Sequence, residues 1–363
     1  MEASQVRKNH IDWLRNLGIL FLFPYHAARV FNEDASFYVK GEVNAAASVL
    51  VQLSYWFMPL LFLLAGTSSH YALQRRTART YVGERVSRLV VPFVFGVLVV
   101  VPPQAYYAKR FHRGYEGSYS EFLWSYFTDF SDWSEYEGGI SPAHLWFILF
   151  LFLISVALVR PMARMVASGH SAGWMRHPLL IVLPAAGVVA LSLLPDVAGK
   201  NIFVYAAYFL LGFLIATDDA IMATIQRCRR LYLLAAGVGA VGVLADPHAP
   251  ALLGEAWKQL ACWVTLLAML GYSHRYLNGT SRFMTYFNPA AFPVYVLHQT
   301  YLVIVAYYVL GLADGGVVPY VLIMTLSFAL SIATYDLVRR VNPARAVFGM
   351  PRLPRREVRT AGR

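Results

Sequence analysis

Charge is scarce in this chain. Only 14% of its 363 residues are Asp, Glu, Lys or Arg, against 58% hydrophobic and 15% aromatic. A soluble domain carries roughly a quarter charged residues, so ordinary soluble folds are excluded first. Cysteine is scarcer still, with Cys228 and Cys262 the whole supply. Two distant thiols build neither a disulfide framework nor a metal cluster, so no metal site is expected and no redox compartment follows. Solenoid-type repeats and low-complexity tracts are missing as well.

What the chain has instead is apolar runs of about 20 residues, the length that crosses a hydrocarbon core roughly 30 Å thick. They fall at about 12 to 31, 45 to 73, 89 to 107, 145 to 166, 179 to 195, 201 to 217, 231 to 246, 251 to 273, 289 to 311 and 317 to 338. The expected fold is all-α: a polytopic integral membrane bundle of about ten transmembrane helices, both termini cytoplasmic. Residues 1–340 would form one transmembrane domain and 341–363 a basic cytoplasmic tail near anionic headgroups. The first run follows Arg7 and Lys8 as a signal peptide would. Its "YHAAR" lacks a small residue three before a cut, so a retained span is expected.

The net charge of +11 could suggest nucleic acid, but its distribution points to topology. With the N-terminus inside, 23 of the 31 Lys and Arg fall in the even-numbered connections and the two tails. The opposite loops carry Arg29, Lys40, Lys109, Arg110, Arg113 and Lys200. That bias is the positive-inside rule, and no nucleic-acid partner is expected.

Within the first run, Arg15 and His26 are eleven residues apart, which on a helix is a rotation of about 20° and an axial distance of about 16 Å. They share one face, Arg15 near the cytoplasmic boundary and His26 deeper. Ionisable groups at such depth are costly and mark function, although snorkelling and a hydrogen-bonded core imidazole are the plain alternatives. The following loop, "RRTARTYVGERVSRLVVP", ends with Arg85 and Arg88 three residues apart, neighbours on one helical face. Two forked donors at a membrane entrance suit phosphate oxygens, against the plain reading of positive-inside charge.

"DWLRNLGILFLFPYHAARVF", with its Arg and His at that spacing, resembles the opening of the membrane acyltransferase family 3. "FMPLLFLLAG" (57 to 66) is similar to that family's second-span signature and "RVSRLVVP" (85 to 92) to its paired-arginine motif. "HLWFILFLF" (144 to 152) and "FPVYVLHQTYL" (292 to 302) resemble its later segments, in family order. The likeness is strongest to the glucan biosynthesis branch. Ala65 departs from the serine that many members place before the glycine.

The resemblance implies an integral membrane O-acyltransferase of a bacterial plasma membrane. It would move an acetyl, succinyl or similar group from cytoplasmic acyl-CoA to a hydroxyl of a carbohydrate acceptor such as a glucan. Acyl-CoA is then a co-substrate, with no bound cofactor. His26 takes the role of the essential histidine, and Arg15, Arg85 and Arg88 that of the donor-associated arginines. A neutral imidazole kept from water can accept a hydroxyl proton as general base, and the arginines can hold CoA phosphates.

Secondary candidates carry a plain alternative each. Asp12, one turn before Arg15, can orient its guanidinium or simply begin a helix. Tyr25 is one of several possible oxyanion donors, and Trp146 is a site or an interfacial belt residue. His298, in the ninth run, completes a polar core with His26 or accepts from Tyr295. His144, just before a span, can face water. The external stretch of about 108 to 143 holds six acidic and ten aromatic residues. Among these Tyr115, Tyr119, Trp124, Tyr126 and Trp133 suit stacking on sugars, or packing of the loop. Two other classes fit buried charge in a bundle: a transporter of a small solute, and a haem carrier ligated by His26 and His298.

Overall fold

The computed structural model describes residues 8–245, 251–313 and 315–353. Arg7 and the tail arginines beyond Leu353 lie outside them. The described chain is all-helical; its β content is a single bridge between Val197 and Lys200. Every one of the ten apolar runs falls on helix.

Five helices are long and apolar enough to cross a membrane: Ala45–Leu73, Ala78–Arg113, Ala143–Ala167, Arg282–Leu310 and Val317–Val338. Ile202–Ile215 and Asp219–Arg227 make a sixth only if the pair, bent by 102°, is one span. Length and composition therefore give five or six spans among the described residues, where ten were expected. The first run is a continuous 23-residue helix, Asn9–Phe31. The seventh and eighth are the paired helices Arg229–Ala245 and Ala251–Tyr276.

The Arg282–Leu310 helix is the hub. It packs against Asn9–Phe31, Val317–Val338 and the Val101–Arg113 end of the third run, and most of its residues are buried. A second axis is the crossing of Phe57–Leu73 over Ile202–Ile215. There Gly66 lies against the Phe209 carbonyl and Gly212 against the Leu63 carbonyl, closer than any Cβ could fit. Small residues let helix backbones touch in a membrane, and Thr67 bonds the Gly212 and Leu63 carbonyls at 3.0 and 3.1 Å.

The Ala78–Arg113 helix is not α throughout. Val86–Val90 and Gly96–Val100 are π-helical, Val91 N–H reaching back to Val86 and Val101 N–H to Gly96. Prolines explain both. Pro92 has no N–H for the Arg88 carbonyl, and Pro102 and Pro103 none for Leu98 and Val99, so the ladder widens before each.

Candidate active site

Residues from distant parts of the chain wall one cavity of about 1060 Å³, and its arginines come from three of those parts. The amino-terminal helix gives it Arg15. The connection leading into the third run gives Arg76, Arg85 and Arg88, and the chain after Val338 gives Arg339, Arg340 and Arg345. Glu84 is the acidic side chain in the lining. So dense a cationic wall suits a multiply charged anion.

Each arginine is positioned differently. Arg15 pairs with Asp12 at 2.8 Å and reaches Asn288 Oδ1 at 3.3 Å. The same oxygen accepts from Asn16 at 2.7 Å, so the Asn288-Pro289 break of the hub helix anchors this end of the cavity. Arg85 donates to Ser69 Oγ at 2.9 Å and lies over the Tyr81 ring at 4.8 Å. Arg76 pairs with Glu84 at 3.0 Å and Arg339 with Asp336 at 2.8 Å. Arg88 is exposed and, among the described residues, has no protein partner. The spacing of Arg85 and Arg88 suggested neighbours on one α-helical face; the π turn after Arg85 fans them apart.

The apolar depth of the cavity is formed by Ile19, Leu61, Phe147 and Tyr295. His26 does not line it. Behind Tyr295 sits His298, fully enclosed, with ring centroids 5.7 Å apart. His26 packs on His298 at 5.1 Å, and His144 packs on His298 at 5.0 Å from another direction. With the His26 and His298 rings in contact, no plate-like group such as a haem fits between them.

Hydrogen bonds fix two of the three tautomers. His298 Nδ1 meets the Tyr295 carbonyl and His144 Nε2 the Val296 carbonyl at 2.8 Å. A carbonyl only accepts, so those nitrogens carry the protons, and in the neutral rings His298 Nε2 and His144 Nδ1 hold lone pairs. Both of these atoms, and His26 Nδ1, are enclosed without a hydrogen-bond partner. His26 still keeps a partly exposed edge.

His144 was open to a reading as a water-facing residue; it is 6% exposed. Its ring holds the hub helix, while Tyr295 Oη donates back to the His144 carbonyl. The sequence signal was its position just ahead of "LWFILF", which by itself did not show which way the ring turned. The tail arginines were equally unseen, since nothing in their spacing announces a return to the bundle.

The other candidates are dispersed. Tyr25 lies against His26 at 4.9 Å and Phe57 at 5.7 Å. Trp146 sits among Phe62, Phe150 and Tyr205 with the Lys200 ammonium 5.8 Å above its ring. In the 108–143 stretch, Tyr119–Thr128 is a helix with a Ser118–Glu121 capping box, which packs Tyr119, Phe122 and Tyr126 toward Tyr106. Tyr126 is 4% exposed and serves packing, whereas Trp124 and Trp133 stand out at 75% and 69%.

A cationic cavity with an apolar depth, backed by enclosed imidazoles on membrane-length helices, has the layout of a membrane group-transfer enzyme. Residues 8–336 match the family described as an acyltransferase domain. The chain belongs to that family, membrane acyltransferase family 3, and is a multi-pass membrane acyltransferase. It is similar to glucans biosynthesis protein C of Salmonella typhimurium, 20% identical with 96% of each chain covered. The proteins of the same name from Salmonella schwarzengrund and Salmonella typhi are also 20% identical, over 93% of this chain and 92% of theirs. No solved structure matches.

Proposed function

We propose that the protein transfers an acyl group from acyl-CoA, bound from the cytoplasm, to a hydroxyl of a carbohydrate acceptor, with envelope glucans the first candidate. The observation that carries the reading is the convergence of Arg15, Arg85 and Arg88 on one cavity from separate parts of the chain. Acyl-CoA offers phosphates for that wall and an apolar arm for the Ile19, Leu61 and Phe147 depth. The glucan acceptor rests on the names of the relatives. Ten spans with both termini cytoplasmic, in a bacterial plasma membrane, suit the basic bias and put the arginines inside.

In this reading the acceptor hydroxyl attacks the thioester carbon. Its proton passes to His26, the new C–O bond forms, the C–S bond breaks, and the proton is returned to the departing CoA sulfur. His298, between the cavity depth and His26, holds the imidazole in place with its ring contact at 5.1 Å. Asp12 and Asn288 hold Arg15, and Tyr25 flanks the His26 ring. No serine or cysteine is paired with His26 by a hydrogen bond among the described residues, which favours direct transfer over an acyl-enzyme.

The test is isotope transfer from acetyl- and succinyl-CoA to a panel of envelope glycans by purified wild type and His26→Ala, with donor affinity measured in parallel. Loss of transfer by a factor on the order of 10² to 10⁴ with donor binding intact supports the reading. Transfer at the wild-type rate removes His26 from the chemistry.

A further inference from the structure

Beyond the arginines of the membrane helices, the cavity has a wall made by the carboxy-terminal segment. After Val317–Val338 the chain turns, forms the short helix Asn342–Val347 and runs to Leu353 along the cavity. This strap is fastened at several points. Phe348 is 5% exposed and seats on Phe95 at 5.4 Å. Gly349 has φ +64°, and a Cβ there would stand 2.9 Å from the Arg88 carbonyl oxygen, the one freed by Pro92. Arg345 donates to the Pro351 and Arg339 carbonyls at 2.7 and 2.9 Å. Asn342 Oδ1 accepts from Leu353 N–H at 2.7 Å.

Those bonds leave two guanidinium groups unengaged. Arg15, Arg76, Arg85, Arg339 and Arg345 are held by protein atoms. Arg88 and Arg340 line the same cavity, are exposed, and among the described residues have no partner. They come from different chain segments. Arg88 lies within the Ala78–Arg113 helix, and Arg340 lies beyond the end of the Val317–Val338 helix. A single phosphate asks for one such anchor. A nucleotide with a diphosphate near its reactive arm and a separate phosphomonoester on its ribose asks for two.

We propose that the Arg339–Leu353 strap is the recognition element for the ribose phosphomonoester of the donor, with Arg340 as its ligand and Arg88, on the membrane-helix wall, as the ligand of the diphosphate. This rests on the acyl-CoA reading above and adds what makes that donor distinguishable from a nucleotide lacking the 3′-phosphate. The strap supplies a contact that the membrane helices alone do not.

The test uses the full-length protein in detergent, with CoA and 3′-dephospho-CoA as probes in isothermal titration. Wild type should prefer CoA by about 10- to 100-fold, the range of one charge-assisted contact. Arg340→Gln should bind CoA as weakly as dephospho-CoA and leave the dephospho-CoA affinity unchanged, and Arg340→Lys should recover part of the preference. Arg88→Gln should weaken both probes equally. If Arg340→Gln keeps the full preference while Arg88→Gln weakens both, the strap proposal falls and the donor reading stands. Absence of binding of either probe to monodisperse wild type removes both.

Discussion

At the residue scale, His298 separates a chemical role from a structural one most sharply. Its Nδ1 proton is committed to the Tyr295 carbonyl, so only Nε2 is left for a partner, and that atom is enclosed and unbonded. His298→Gln keeps a polar group but loses the ring that supports His26. Transfer is expected to fall on the order of 10-fold or more in kcat, with donor affinity unchanged. A His298→Phe variant that keeps ring packing at wild-type kcat would reduce His298 to a spacer. A second residue, Lys40, ties the Asn32–Lys40 turn together. Its ammonium donates to the Arg29, Asn32 and Asp34 carbonyls and to Asn32 Oδ1, at 2.7 to 3.1 Å. Lys40→Met leaves those acceptors without a donor and is expected to destabilise the protein by about 1 to 3 kcal/mol, read as a lower Tm in detergent. The same turn carries a pH signature. Burial acts to raise the Asp34 carboxyl, but the Ser36 amide and the Arg29 guanidinium outweigh it and hold the group below its ordinary 3.8. A lowered folded value means stability present above pH 3.8 and lost as pH falls through that lower value. Hydrogen-exchange protection of residues 33–40 should therefore hold above pH 3.8 and fall as pH drops below it, and Asp34→Asn should abolish the pH dependence.

At the element scale, proline placement decides where the arginines point. Pro92→Ala restores an amide that can bond the Arg88 carbonyl, and the π turn Val86–Val90 can then close to α. That rotates Arg88 and takes away the carbonyl against which Gly349 lies. The expected outcome is a severalfold rise in donor KM with a Tm equal to or above wild type. A lower Tm with unchanged KM would mean that the π turn serves packing alone. Much at this scale was legible from the sequence. The Arg15 and His26 spacing needs only one uninterrupted helix, which Asn9–Phe31 is, and the apolar runs were plain. The fan of Arg85 and Arg88 was not, because α periodicity was assumed across "RVSRLVVP" although Pro92 breaks its ladder. Nor was the meaning of Gly66 in "FMPLLFLLAG". Its neighbour Phe209 is in another helix, and a close backbone crossing leaves no periodic trace.

At the scale of the whole molecule, the open quantity is how the helices are threaded through the bilayer. Five helices meet the length and composition test, yet Asn9–Phe31, Arg229–Ala245 and Ala251–Tyr276 fall outside that set while packing with the rest. A bundle can span with helices that are only moderately apolar when their polar residues face one another, as Asn16 faces Asn288 and Tyr208 faces Gln259. Ten spans place the 114–142 stretch outside and the 168–178 connection inside, whereas losing one crossing ahead of both, such as Asn9–Phe31, would exchange their sides. Single cysteines in a Cys228→Ser, Cys262→Ser background distinguish the two. Trp133 is 69% exposed, and Gly169 lies in the turn after Trp146–Ala167 with open space around it. In intact spheroplasts an impermeant maleimide should label Trp133→Cys and spare Gly169→Cys until the membrane is opened. Labelling of Gly169→Cys and not of Trp133→Cys from outside would require one fewer crossing ahead of both, and the arginine cavity could then no longer be assigned to the cytoplasmic face by the positive-inside bias.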